Sequence, residues 1–329
     1  MDYKKFINLE VTNFCNYKCS KCLHAKDYFP RERGFLTNEN LEKIIKKLPS
    51  TMEYIGLSGI GEPLMNKNLF SIIKNIQDKL PNVKVGFHTN GSLLNSENIE
   101  NICKSNIYDI SISIDAATDE TYKLVHKTNC TLSMVLENVL SLKKQLKNKN
   151  KKTLLSVSYV IQKENLGELP VFIKKMHSLG LENIGPINVV SCIHGYTMDD
   201  WENPYSDVRD EINNAKKIAS KLNINVKFPE INESKVGSTN INHLENYSCA
   251  FPLSLYPIVT WNANVFPCIW LHNNDVLIGN LIDDSIEDIL DGKKITKIRD
   301  IFRRGSYLEF CKNCKTKGFP QNEMKFEKI

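Results

Sequence analysis

Between residues 7 and 191, short apolar runs alternate with segments whose apolar positions recur every three or four residues. The runs INLEV (7–11), EYIGLSG (53–59), VKVGFHTNG (83–91), YDISISID (108–115), TLLSVSYVI (153–161) and NIGPINVVS (183–191) predict six strands. TNENLEKIIKKL (37–48) predicts a helix capped by Thr37, with Leu41, Ile44, Ile45 and Leu48 on one face. Further helices are predicted over 69–80, 96–106, 133–146 and 166–180, the last stopped by a glycine. Strand-helix alternation implies parallel pairing through right-handed crossovers. The α/β class follows, with a partial (β/α)6 TIM-like barrel first and a doubly wound open sheet second. In either, function gathers on the loops at the carboxyl ends of the strands.

The pattern changes after about residue 195. HGYTMDDWENPYSD (194–207) reads as an irregular loop and RDEINNAKKIASKL (209–222) as one more helix. From Ser248 onward the texture is short strands, turns and cysteines. A boundary near residue 235 therefore separates a barrel domain (1–235) from a small cysteine-rich domain (236–329).

Composition narrows the classes. The chain of 329 residues is 41% hydrophobic and 25% charged, with a net charge of +5, which is ordinary for a globular protein. The basic run KKQLKNKNKK (143–152) has no interleaved aromatics, so it reads as a solvated helix end and no nucleic-acid partner is expected. The N-terminus has no apolar signal region, and no apolar run approaches the ~20 residues of a membrane span. A cytoplasmic location is expected. In a reducing compartment the ten cysteines would not be disulfide-bonded, and the clustered ones read as metal-binding or catalytic.

CNYKCSKC (15–22) places Cys15, Cys19 and Cys22 directly after the first strand. Structural zinc takes four protein ligands, whereas iron-sulfur clusters are held by cysteine thiolates, so three from one loop leave one iron open. A zinc site completed by His24 or a distant residue is the alternative. C-x3-C-x2-C at this position resembles the radical S-adenosylmethionine (SAM) superfamily, and the later strand ends supply matching elements. GLSGIGEPL (56–64) resembles its glycine-rich element through Gly59, Gly61, Glu62 and Pro63. HTNG (88–91) matches a common third-strand ending through Asn90, and SISID (111–115) the ribose element through Ser113 and Asp115. Val160 stands where the family packs adenine. Two positions depart from the family: Lys21 precedes the third cysteine instead of an aromatic, and His126 and Lys127 stand near where an arginine meets the SAM carboxylate. Either Lys127 supplies that charge or the contact comes from elsewhere in the chain.

Cys249, Cys268, Cys311 and Cys314 form a second set, which on ligand count suits zinc or a [4Fe–4S] cluster. The C-x2-P start, a hairpin with Asn262 and Asn264, V-x-P-C, G-N-L and the final C-x2-C resemble a SPASM/twitch domain with one auxiliary cluster. The layout is similar to that of an aminocyclitol dehydrogenase of the superfamily.

The resemblance implies two [4Fe–4S] clusters and SAM as cofactors. It also implies cleavage of SAM to a 5′-deoxyadenosyl radical that takes hydrogen from a substrate C–H bond, and a low-potential electron donor such as flavodoxin or ferredoxin. A fully ligated auxiliary cluster suits electron acceptance, hence a dehydrogenase-type oxidation of a small polyol or amino sugar. The alternative is a peptide-modifying enzyme or epimerase with Cys192, at the end of the sixth strand, as hydrogen-atom donor. The absence of a leader-binding module before the barrel favours a small substrate over a peptide. His88, His194, Tyr196 and Asp199 are further polar residues for substrate contact. Cys103 and Cys130 read as incidental.

Overall fold

The computed structural model describes residues 5–25, 29, 31–189, 204–228, 231–232, 235–236, 257–268, 276–304, 306–309 and 325–327. Alternation of inward and outward positions forms six strands: β1 (Phe6–Leu9), β2 (Tyr54–Gly56), β3 (Lys84–Thr89), β4 (Asp109–Ser113), β5 (Leu154–Ile161) and β6 (Ile184–Val189). Each pairs in parallel with the next in chain order. Between them lie α1 (Asn38–Ile45), α2 (Leu69–Lys79), α3 (Ser96–Lys104), α4 (Asp119–His126), α5 (Leu132–Asn148) and α6 (Leu169–Ser178).

Strand order decides the architecture. A doubly wound sheet reverses its order partway, whereas here it runs β1 to β6 without reversal. Right-handed crossovers then put every helix on one face, which is the barrel arrangement. That outer face is apolar: Ile55, Val85, Phe87, Ile110 and Ile112 are fully buried in one core with Ile44, Ile72, Val139 and Phe172. On the opposite face the strands carry polar residues. A Cβ on Gly56 would meet Asn8 and the Tyr54 ring, and one on Gly86 would meet Asp109 and the Tyr54 hydroxyl, so these residues share the inner face.

The barrel is incomplete. β1 pairs on its free edge not with β6 but with β9 (Ile258–Val259), which continues through β10 (Asn264–Phe266) to β11 (Gly279–Asn280) in a nine-stranded sheet. The expected Asn-rich hairpin is therefore part of the barrel sheet, where it covers an edge that would otherwise expose unpaired backbone groups.

Four helices differ from the sequence reading. α4 was not expected, because only two turns carry its buried face of Tyr122, Val125 and His126. Its Thr118 cap, worth about 1 kcal/mol, holds so short a helix in place. α7 (Pro204–Lys221) begins inside the stretch read as a loop, with proline at its first position, where a missing N–H costs nothing. The C-terminal region also holds α8 (Ile286–Leu290) and α9 (Lys293–Arg303), the latter burying Ile295, Ile298, Ile301 and Phe302 at helical spacing. Short strand pairs join β7 (Ile231–Asn232) to β8 (Lys235–Val236), and β12 (Ser306–Leu308) to β13 (Lys325–Glu327). No described helix is long and apolar enough to cross a membrane.

Candidate active site

Beyond β1 the chain makes a long loop that returns antiparallel to its own start, bridging Thr12 to Phe35. Asn13 clamps both arms, donating to Glu32 O at 2.8 Å and accepting from Gly34 N–H at 2.9 Å. Cys15, Cys19 and Cys22 sit within this loop, all half-buried and all free. The Tyr17 N–H points at Cys15 Sγ at 3.5 Å, and Cys22 N–H closes a turn on Cys19 O at 3.0 Å. The Ser20 N–H donates to Val125 O at 2.8 Å, seating the loop on α4.

His126 lies behind Cys19. Its Nε2–H donates to Ile114 O at 2.8 Å, leaving Nδ1 as the acceptor 3.2 Å from Cys19 Sγ. Tyr17 and Tyr122 pack around this ring, with centroids 5.7 and 4.3 Å away. His126 is thus committed to the cysteine loop, while Lys127, in the left-handed conformation at the end of α4, is exposed. Lys21 pairs with Glu164 at 3.3 Å, joining the cysteine loop to the end of β5.

The other strand ends close on this loop. A Cβ on Gly61 would collide with the carbonyls of Thr12 and Phe14, so only glycine permits the approach that lets Glu62 N–H reach Phe14 O at 2.8 Å. The buried Glu62 carboxylate accepts from Thr89 Oγ1 at 2.7 Å, Asn90 N–H at 2.8 Å and Leu64 N–H at 3.2 Å. Burial pushes its pKa up to about 7 against those hydrogen bonds. Asn90 in turn donates to Asn16 Oδ1 at 3.0 Å. Ser113 ends β4 half-buried. Asp115 has a φ of 53° and accepts from Val160 N–H at 2.7 Å through Oδ1. Burial raises its pKa to about 7.

The site thus brings Cys15, Cys19, Cys22, Gly59, Gly61, Glu62, Pro63, Asn90, Asp115 and Val160 to one rim, with Lys127 at its outer side. Of the second cysteine set, Cys268 is buried just past β10. Its hairpin packs on the cysteine loop: Trp261 fills the space over Gly34, and the Arg31 guanidinium lies 5.8 Å from the Phe266 ring centre. Cys249, Cys311, Cys314, Cys192, His194, Tyr196 and Asp199 lie outside the described residues.

The donors fit a cluster better than a single ion. Three thiolates from one loop can each take a different iron of a cubane and leave the fourth iron open, whereas a structural zinc ion takes four protein ligands. His24, one of the residues that could complete a zinc site, has Nδ1 3.3 Å from an Arg33 guanidinium nitrogen, while its buried Nε2 has no partner among the described residues. Burial pushes the Cys15 thiol up to about 12 and raises Cys19 and Cys22 as well. Thiols held this far up stay protonated until a metal displaces the proton.

Sequence reasoning missed His126 as a partner of Cys19, and also the Glu10–Arg31 pair described below. The signal for the second was legible: a charged residue in the apolar run INLEV has to find a partner.

A sequence model of the Radical SAM superfamily matches residues 9–176, and one of the SPASM iron-sulfur cluster-binding domain matches residues 249–315. The tungsten-containing aldehyde ferredoxin oxidoreductase cofactor-modifying protein of Pyrococcus furiosus is 23% identical over 333 residues, spanning 94% of this chain and 87% of its own. The GTP 3′,8-cyclase of a Synechocystis species is 28% identical over 134 residues, 40% of each chain. Solved structures share the fold, among them the following three. BtrN in complex with AdoMet and 2-DOIA has a TM-score of 0.53 at 18% identity, covering 92% of this chain and 87% of its own. AdoMet-bound anSMEcpe has a TM-score of 0.70 at 17% identity, covering 94% and 83%. SAM-bound SuiB of Streptococcus suis has a TM-score of 0.71 at 14% identity, covering 96% and 72%. Since the superfamily match alone takes in just over half of the sequence, this chain belongs to the radical SAM superfamily, carries a SPASM domain, and works with SAM and [4Fe–4S] clusters.

Proposed function

We propose that this radical SAM enzyme is an oxidoreductase that oxidises a carbon of a small polyol or amino sugar. The observation that carries the reading is the chemistry of the inner face. Asn8, Ser58, His88, Asp109, Ser111, Ser113, Ser156 and Ser158 alternate with the buried apolar positions of β1 to β5 and their ends. A parallel barrel strand serving packing alone would be apolar on both sides; hydroxyl and amide groups suit a substrate that is itself rich in hydroxyls.

The reduced cluster with bound SAM supplies a 5′-deoxyadenosyl radical for hydrogen abstraction. In this reading Cys15, Cys19 and Cys22 hold that cluster. The backbone at Gly59, Gly61 and Pro63, with Asn90, Ser113, Asp115, Val160 and Lys127, frames SAM, while Glu62 braces the edge. His88 stays reachable by solvent although surrounding protein drives its pKa down, so it is a neutral imidazole suited to accept the hydroxyl proton as the carbinol carbon is oxidised. Cys249, Cys268, Cys311 and Cys314 hold the electron-accepting site, and residues 236–329 form its domain. β9 and β10 place the Cys268 hairpin about 10 Å from β1, two strand spacings away in the same sheet. The low-potential donor is a flavodoxin or ferredoxin.

Anaerobic reconstitution with SAM, reductant and a set of deuterated polyols and amino sugars tests the reading. Expected are deuterium in 5′-deoxyadenosine and a product two mass units lighter than its undeuterated substrate, both diminished in His88→Gln. In D2O, an unlabelled substrate that returns a product one mass unit heavier rejects oxidation and supports the second reading, epimerisation by Cys192. That reading, with peptide substrates, takes its support from the likeness to SuiB, which has also been solved bound to the precursor peptide SuiA.

A further inference from the structure

Glu10, the residue after β1, is completely buried and charged. It is held from three directions. Its backbone N–H donates to Val259 O of β9 at 2.7 Å. Its carboxylate takes both terminal nitrogens of Arg31, each at 2.9 Å. Oε2 also accepts the Ile60 N–H, between Gly59 and Gly61, at 3.3 Å. Gly59 is glycine because a Cβ there would overlap the Glu10 side chain.

Arg31 carries the connection onward. Its side chain is 6% exposed, its Nε has no partner among the described residues, and its guanidinium faces the Phe266 ring of β10 at 5.8 Å. Three residues after Arg31, Gly34 sits against Trp261 of the same hairpin. An unbroken set of contacts therefore runs from the C-terminal hairpin through Arg31 and Glu10 to the backbone of GIGEP.

A buried ion pair of this kind adds little net stability, because desolvation offsets the attraction; apolar residues of similar volume often serve as well. What two parallel N–H···O bonds do supply is a fixed orientation. We propose that Arg31 and Glu10 are positioning residues that couple the C-terminal hairpin to the Gly59–Glu62 edge, so that Phe266 sets SAM affinity without touching SAM. The coupling rests on the reading that this edge receives SAM.

The test measures SAM binding and amide hydrogen exchange. In the double variant Glu10→Leu/Arg31→Met, which removes both charges at similar volume, the coupling expects stability close to wild type, full iron content, and SAM affinity about tenfold weaker. Phe266→Ala is expected to weaken SAM severalfold and to raise exchange at the Ile60 amide of the apoprotein. Phe266→Tyr, which keeps the ring face, is expected to restore both. A purely structural pair would leave SAM affinity within twofold of wild type once stability is matched, and that result overturns the proposal. Should the double variant not fold, Phe266→Ala decides. Unchanged exchange and affinity reject the coupling, whereas faster Ile60 exchange with unchanged affinity rejects the assignment of the edge to SAM.

Discussion

The carboxylate of Glu62 accepts the backbone N–H of Asn90 at 2.8 Å, tying the turn after β2 to the end of β3 in a place that water does not reach. The same group accepts from Thr89 Oγ1 and Leu64 N–H, so its oxygens are committed to the protein. Its part in the site is to hold the glycine edge and the Asn90 turn in register.

That burial has a pH signature. Glu62 is raised from 4.5 to about 7, so its share of the stability is complete below pH 4.5 and is lost as pH climbs through 7. The loss amounts to about 3 kcal/mol. Urea denaturation of the apoprotein at several pH values is expected to show Glu62→Gln gaining on wild type by that amount between pH 4.5 and 8. A pH-independent difference would show that Glu62 titrates normally.

Gly61→Ala drives a methyl group into the carbonyls of Thr12 and Phe14. Backbone cannot step aside as a flexible side chain would, so the turn has to leave the cysteine loop. Loss of SAM-induced change in the cluster's electron paramagnetic resonance spectrum is expected, with iron content reduced less than affinity.

His126→Ala leaves Ile114 O without its donor, opens a cavity between Tyr17 and Tyr122, and frees Cys19 of its neighbour. A cost of about 3 kcal/mol to the apoprotein is expected in urea. Faster bleaching of the reconstituted cluster in air is expected too. His126→Phe, which refills the cavity, recovers stability but not the resistance to bleaching.

Cys268→Ala tests the second cluster. Reconstituted wild type is expected to carry about eight irons and the variant about four. The variant should still form 5′-deoxyadenosine while losing the oxidised product. Eight irons in the variant would remove Cys268 from the ligand set.

Much of this was written in order along the chain. INLEV, EYIGLSG and their successors show their period to a reader without coordinates, because side-chain alternation is a local property of the backbone. The cysteine loop, GIGEP and SISID could be placed at strand ends for the same reason. α4 escaped notice because its two turns bury only Tyr122, Val125 and His126, too few positions for a periodicity to emerge. α9 escaped because the cysteines on either side drew the region toward irregular structure, although Ile295, Ile298, Ile301 and Phe302 stand at helical spacing.

The sequence by itself determined the six barrel strands and five of the helices between them, the three-cysteine loop and the glycines that let chain segments approach. Only the tertiary structure decided that the strands run in unreversed order, that β9 rather than β6 lies beside β1, and that His126 and Glu10 are spent on Cys19 and Arg31. Period and motif are set by neighbours a few residues away. Strand order and buried charge pairs join residues 21 to 250 positions apart, and the free energy that selects them is realised only when the whole sheet has closed over its core.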